Sequence, residues 1–421
     1  MTKTKGNYRY PLFLPDGRRF LYVALAAQAE SGVYLNSLDA SENRRVLADA
    51  SSVAFAAGRL LFVRENTLMA MPFDAKSGEA SGDVVPIAED VAVSNTGYEP
   101  ITAAENGVLL YQSGGTGGSN QIVWYDPAGK LLGPASAPGT VRTPSISPDE
   151  KMIAFTQGPT PPTSDIWLRD LARGTNTRFT FDALGNFEPF WSPKGDRIVF
   201  ASSRGNKNQN LYQKPVSGSS QDELLLSTRY AKVPDQWSRD GRFIVYSELD
   251  PKTGWDLWVL PVGALSGPGS GKPIAFLQTE FNESHGQLSP DSRWMAYSSD
   301  ESGQREVYTR PFPASDGKWR VSTAGGDQPR WRGDGKELFF AGADGKMMAV
   351  AVKAVAEPKP SFETGAPVPL FESHIVESGA FLPFQYDVTA DGKRFLVTAT
   401  AAGASALPLT VVVNWSAGLK K

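Results

Sequence analysis

The sequence predicts an all-β fold, a β-propeller of four-stranded antiparallel blades, and three observations predict it. A short turn-and-strand unit recurs about nine times along the chain. Its spacing is that of a propeller blade. A second marker, an aromatic residue in the third strand of the unit, moves in step with the first.

The clearest copies read EPFWSPKGDRIVFASSRGNKNQNLYQKPV from Glu188, PDQWSRDGRFIVYSELDPKTGWDLWVLPV from Pro234 and HGQLSPDSRWMAYSSDESGQREVYTRPF from His285. Others begin at Tyr10, Thr143, Gln328 and Gln385, with weaker copies at Ser51 and Glu99. The last turn residues align as Gly17, Gly58, Gly107, Glu150, Gly195, Gly241, Ser292, Gly335 and Gly392, in steps of 41 to 57 residues. The third-strand aromatic falls 17 residues after the turn at Tyr34, Trp167, Tyr212 and Trp258, and 16 after it at Tyr308.

Each element of the unit has a physical reason. The first strand, as at 187–191, runs into a Pro-Lys-Gly turn, in which Pro presets φ and Gly permits φ > 0. The second, as at 197–201, is a nearly unbroken apolar run, which suits a strand covered on both faces. The third ends in Pro215, Pro261 or Pro311, a residue fit for a strand margin. The fourth, as at 223–227, is short. One such sheet cannot cover its own faces, and a ring of them can. No helix of three turns is expected inside any unit.

Two closures are consistent with nine units. Residues 140–421 read as a six-unit β-propeller, with residues 1–139 supplying three further units; alternatively, all the units form one ring of eight or nine blades. In the first arrangement, which we favour, the last unit takes its third strand from 409–415. A strand near 130–135 then closes the ring.

The bulk numbers exclude several functions. The 421 residues carry 42 Lys and Arg against 45 Asp and Glu, a net charge of −3, so no basic excess exists to neutralise nucleic-acid phosphates. Cysteine is absent, which removes disulfides, thiolate metal sites and cysteine nucleophiles. The residues before the first turn lack the apolar stretch of a signal peptide, and no run of 18 apolar residues occurs, so neither secretion by such a peptide nor membrane insertion is expected. The chain reads as soluble, and its compartment stays open.

Motif chemistry is sparse. There is no Gly-x-Ser-x-Gly elbow, and the two histidines, His285 and His374, leave little for a triad. Gly269-Ser270-Gly271-Lys272 has only a superficial likeness to a phosphate loop: Ser266 replaces the first glycine and Pro273 the Ser or Thr that holds magnesium. Neither a cofactor nor a metal site is expected. Acidic clusters at Glu248, Asp250 and Asp256, at Asp300, Glu301 and Glu306, and at Glu280 and Glu283 fit solvated turns better than paired catalytic carboxylates.

The informative positions are topological. The residues that introduce each first strand should line the channel mouth: Asn186, Glu188, Lys232, Asp235, Glu283, His285, Asp327, Gln328, Arg330, Gln385 and Tyr386. They are polar or charged before apolar strands, and a ligand or partner site at this mouth is the default for the fold.

The SPDG-type turn, apolar second strand and aromatic third strand resemble the TolB-like, WD-related propeller repeats of bacteria; the Gly-His and Trp-Asp pair of the eukaryotic WD repeat is missing. More closely, FLPDGRRFLYVAL, DIWLRDLARGTNTRFTFD, SSDESGQREVYTRPFP, WRVSTAGGDQPRWRGDGKELFF and TVVVNWSAGLKK resemble the C-terminal propeller of large bacterial serine/threonine kinases. That resemblance spans essentially the whole chain. It implies a sensor module attached, in a longer parent chain, to a kinase domain, and an extracytoplasmic place if that kinase is membrane-bound. It does not carry kinase activity, because the His-Arg-Asp and Asp-Phe-Gly motifs are absent. The expected function is therefore a non-enzymatic propeller that binds a protein, peptide or small ligand at its mouth. The alternative is a hydrolase or lyase acting on a sugar or peptide through mouth carboxylates.

Overall fold

The computed structural model describes residues 7–25, 31–39, 42–64, 66–89, 91–92, 99–113, 120–158, 164–181, 185–204, 208–218, 221–262, 271–355, 360–375, 383–401 and 409–417. Within them every regular element is a strand, no helix occurs, and the strands make nine antiparallel sheets. The nine turn residues aligned from the sequence all have positive φ, from 56° at Glu150 and Ser292 to 84° at Gly107. That conformation is what the aligned glycines were expected to serve.

The turns share a side-chain device. A Ser or Thr hydroxyl donates to the Asp two residues on, at 2.7 Å in Ser147–Asp149, Ser238–Asp240 and Thr389–Asp391. The same hydroxyl accepts the amide five residues on, from Met152, Phe243 and Arg394. The turn is thereby clamped from its own sequence, and the second strand leaves it at a fixed angle.

The chain divides into two compact units: Met1–Gly118 with Ala402–Lys421, and Ser119–Ala401. The first unit holds three sheets. Leu21, Val33 and Leu35 of the first pack on Leu60, Phe62 and Phe73 of the second, and Leu61, Val63 and Ala70 of the second pack on Leu109 and Tyr111 of the third. The third sheet is completed by Leu409–Val413, which pairs with Val108–Gln112. This corrects the expected ring closure, in which 409–415 was the third strand of the last repeat.

The second unit holds six sheets. In the sheet that closes it, Phe395–Thr400 pairs with Asn120–Tyr125, which in turn pairs with Leu131–Pro134. The closing third strand thus comes from 120–125, and the strand expected near 130–135 is the fourth. The unit starts at Ser119 and ends at Ala401, whereas the sequence reading placed its bounds at 140 and 421.

Six first strands lie side by side around an axis: Val141–Ile146, Asn186–Trp191, Lys232–Trp237, Glu283–Leu288, Asp327–Trp331 and Tyr386–Val388. Side chains stitch each to the next. Trp191 Nε1 donates to the Ser145 carbonyl and Trp331 Nε1 to the Gln287 carbonyl, both at 3.0 Å. Gln236 donates through Nε2 to the Leu288 carbonyl at 3.2 Å. At the seam between last and first strands, the Ile146 amide donates to Asp387 at 2.8 Å, and Arg394 pairs with Glu150 at 2.8 Å.

Candidate functional site

Five of the six first strands share an irregularity. The register of the pairing shifts between Arg142 and Ser145, Phe187 and Phe190, Pro234 and Gln236, Ser284 and Gln287, and Asp327 and Arg330. At four of these bulges a residue other than glycine is left-handed: Thr143, Glu188, His285 and Gln328, with φ between 53° and 58°. A left-handed side-chain-bearing residue costs on the order of 1–2 kcal/mol. Four at equivalent positions show a backbone over-determined by its surroundings, and bulges of this kind re-aim side chains.

The bulges aim one residue from each of the six strands at a common cavity. Ser145, Phe190, Gln236, Gln287, Arg330 and Asp387 all line it, and its volume is about 400 Å³. The prolines and tryptophans of the neighbouring turns, among them Pro193, Pro290, Trp191, Trp237 and Trp331, continue its wall, with Arg239 and Glu150. The cavity therefore lies on the axis, at the end where the Ser-x-Asp turns gather.

Its polar floor is internally bonded. Arg330 donates from Nη1 to Gln287 at 3.2 Å, and its Nε lies 3.6 Å from Asp387. The guanidinium stacks on Phe384, 3.8 Å from the ring centre, and more loosely on Phe190 at 5.2 Å. Gln287 donates to the Asp235 carbonyl at 2.7 Å.

Behind this floor lies a buried charge network. Burial, with Asp235 nearby, pushes the Glu188 carboxyl up to about 8 against the pull of Arg142. Burial also pushes Asp235 up to about 6, although His285, a hydrogen bond from Ser247 and Arg330 work the other way. Asp327 differs. Burial opposes its charge too, yet His285, 3.1 Å away, and the two-pronged Arg305, at 3.0 and 3.1 Å, hold it well below the usual carboxylate range.

The sequence reading named eleven mouth residues, and the structure places them in two groups. Glu188, Asp235, His285, Gln328, Arg330, Gln385 and Tyr386 surround the axis, tied together by contacts such as Gln385 N to Gln328 Oε1 at 2.6 Å and Tyr386 Oη to the Gln328 carbonyl at 2.8 Å. Asn186, Lys232, Glu283 and Asp327 stand at strand starts and bond to side chains near them: Arg204 donates to Asn186 at 2.7 Å, Lys232 lies 3.7 Å from Glu248, Thr279 donates to Glu283 at 2.5 Å, and Asp327 meets Arg305.

All but Asp327 are buried, with exposures of 8% or less. A hydrated rim was expected. Instead these side chains form a plug, and only Arg330 among them lines the cavity. For Lys232 and Glu248, desolvation works against both charges, lowering the lysine and raising the glutamate.

Sequence reasoning missed Ser145, Phe190, Gln236, Gln287 and Asp387. The available signal was their place one or two residues beyond the polar strand starts. Of the phosphate-loop look-alike, Gly269 and Ser270 lie outside the described residues. His374 is exposed, its ring 6.5 Å from Tyr125. Among the described residues no group of three or more His, Asp or Glu side chains is placed to hold a metal ion, and no helix is long and apolar enough to cross a membrane.

Six antiparallel sheets closed around an axis, with their first strands innermost, make the second unit a β-propeller. Known proteins agree with this class. Residues 101–254 match the family model described as the TolB beta propeller domain. A protein described as a TolB from Agrobacterium tumefaciens superposes with a TM-score of 0.51 at 15% identity, over 68% of this chain and 99% of that one. TolB from Acinetobacter baumannii gives 0.44 at 14%, over 83% and 79%. An oligogalacturonate lyase in complex with manganese gives 0.35 at 15%, over 72% and 88%. At these identities the likeness is one of fold, TolB-like. Comparison with curated protein sequences returns no match.

Proposed function

We propose that the second unit is a non-catalytic binding module whose ligand, a protein segment, peptide or small molecule, enters the axial cavity from the turn side. The observation that carries this reading is the cavity itself, built from one residue of each of six strands. Its wall of tryptophan and proline offers apolar area to a guest, and its few polar groups are fixed in place, the usual character of a ligand pocket. The carboxylates near it are engaged by Arg330, Arg394, Arg305 and Ser247. The sequence resemblance to kinase propellers supports a sensor form of this module.

The test is a thermal-shift screen of the purified chain against peptides and metabolites. A ligand at 100 times its dissociation constant adds about 2.7 kcal/mol of stability. Hits should weaken at least tenfold on Arg239→Glu, which alters an exposed rim charge. Hits that bind this variant and Trp237→Ala as tightly as the parent chain would remove the cavity from consideration.

One observation favours the second reading, a hydrolase or lyase. Glu188 and Asp235 are coupled buried carboxyls whose titrations are pushed up by different amounts, to about 8 and about 6. Turnover of an oligosaccharide or peptide panel that disappears in Glu188→Gln would select it.

A further inference from the structure

We infer that a second copy of this chain docks on the first unit, and that two three-sheet units close a six-sheet ring between them. The inference rests on how neighbouring sheets pack in the second unit and is independent of the function proposed for that unit's cavity.

In the second unit the contact between successive sheets is directional. Each sheet presents a stacked aromatic pair, one ring from its second strand and one from its third, to the aliphatic face of the sheet before it. Phe200 and Tyr212 stack at 6.2 Å and pack on Ala154, Ile166 and Leu168. Tyr246 and Trp258 stack at 6.5 Å and pack with Val199 and Leu211. Tyr297 and Tyr308 stack at 5.9 Å and pack on Val245, Leu257 and Val259. Six sheets satisfy this rule around a full circle.

The first unit has three sheets and two such cores, so it keeps one face of each kind unmatched. Its first sheet carries the same pair, Tyr22 and Tyr34, stacked at 5.9 Å with an interplanar angle of 27°. Both are half-buried, and Tyr8, edge-on to Tyr22, is 46% exposed. Strand alternation sends Leu21 and Val33 into the core on the opposite side.

Its third sheet turns Leu109 and Tyr111 into the other core. That leaves Val108 and Leu110, paired with Val413 and Val411, on the outer face. Leu409, Val411 and Val413 are 62%, 57% and 68% exposed. This is the aliphatic type of face, the kind that elsewhere in the chain covers an aromatic pair.

The occupant follows from these two faces. They are complementary to each other, and one unit cannot bring its own two ends together. A second copy supplies the aliphatic face for Tyr22 and Tyr34 and receives the partner's aromatic face on Val411. Three sheets are half of the six that close a ring in this chain, so two copies close with twofold symmetry rather than growing into a filament. The strand Leu409–Val413 carries no charged side chain to oppose the contact.

The test uses the whole chain and light scattering with native mass spectrometry. The parent should show twice the 45.4 kDa chain mass at about 10 µM. Tyr22→Lys and Val411→Glu should each lower the dimer at least tenfold in affinity while keeping the parent β-sheet circular dichroism. Val413→Glu, at a more exposed position, serves if Val411→Glu does not fold. An equimolar mixture of Tyr22→Lys and Val411→Glu should regain the dimer, because one contact is then unaltered and the other sets Lys against Glu. A parent chain that stays monomeric at about 100 µM, a dimer lost only in Tyr22→Lys, a mixture that stays monomeric, or open-ended polymers would each overturn the inference.

Discussion

Arg330, on the fifth first strand of the propeller, lays its guanidinium against the ring of Phe384, just before the sixth, with 3.8 Å between the charge centre and the ring centre. The same side chain reaches Gln287 on the fourth strand. One residue thus joins three neighbouring blades at the floor of the axial cavity. Lysine cannot reproduce a planar, forked contact of this kind.

Stability should therefore depend on these axial charges. From sequence, Asp235, Asp327 and Arg330 read as exposed mouth charges that could be reversed at little cost. Burial and pairing reverse that expectation. Arg330→Glu and Asp327→Lys should each destabilise by about 3–5 kcal/mol, the usual result of breaking a buried pair. Denaturant unfolding checks this, and a loss below about 0.5 kcal/mol would mean the charges are not held as described.

The two turn residues that are not glycine should separate cleanly. Ser292 and Glu150 both sit at φ 56°. Ser292→Gly should stabilise by up to about 1 kcal/mol by relieving a left-handed side-chain-bearing residue. Glu150→Gly should not, because that carboxylate accepts the Ala390 amide at 3.0 Å and pairs with Arg394 across the seam. Unfolding midpoints of the two variants make the comparison.

Stability should also fall as pH rises through the neutral range. A carboxyl whose folded pKa is raised binds more protons in the folded state. Its contribution is therefore complete below the unfolded value and is lost as pH rises through the folded one. For Asp235 that window ends near pH 6, and for Glu188 near pH 8. Glu188→Gln should remove the decline between about pH 6 and pH 8, seen as a flatter plot of unfolding free energy against pH. An unchanged slope would place the titration elsewhere.

The indole stitches offer a separate check on the ring. Trp191→Phe keeps the ring volume but leaves the Ser145 carbonyl without its donor, at a cost of about 1–3 kcal/mol. Trp191→Ala should cost about 3–5 kcal/mol. If the two variants unfold alike, the stitch contributes nothing beyond packing.

Much of the fold was legible because its signals are local. A left-handed turn residue selects glycine, so the nine turns could be aligned by eye. The third-strand aromatics Tyr34, Tyr212, Trp258 and Tyr308 do stack on the second strand beside them.

What failed was non-local. LTVVV and NQIVWY are equally good strands, and nothing within either says that the first pairs with Val108–Gln112 and the second with Phe395–Thr400. The site was misjudged for a related reason. Bulges shift the alternation of inward and outward side chains by one position. Polar strand starts such as Asn186 and Lys232 therefore went into buried blade contacts, while Gln236 and Gln287 reached the cavity.

The central claim, that the axial cavity of the propeller takes the ligand, is tested most directly by fluorine NMR on chain labelled with 5-fluorotryptophan. Trp191, Trp237 and Trp331 line the cavity, whereas Trp294, 1% exposed in the core, and Trp415, in the first unit, do not. Adding the tightest hit from the ligand screen should move the resonances of the three cavity tryptophans and leave those of Trp294 and Trp415 in place. Saturable shifts confined to Trp415, or binding that leaves all three cavity resonances unmoved, would contradict the account.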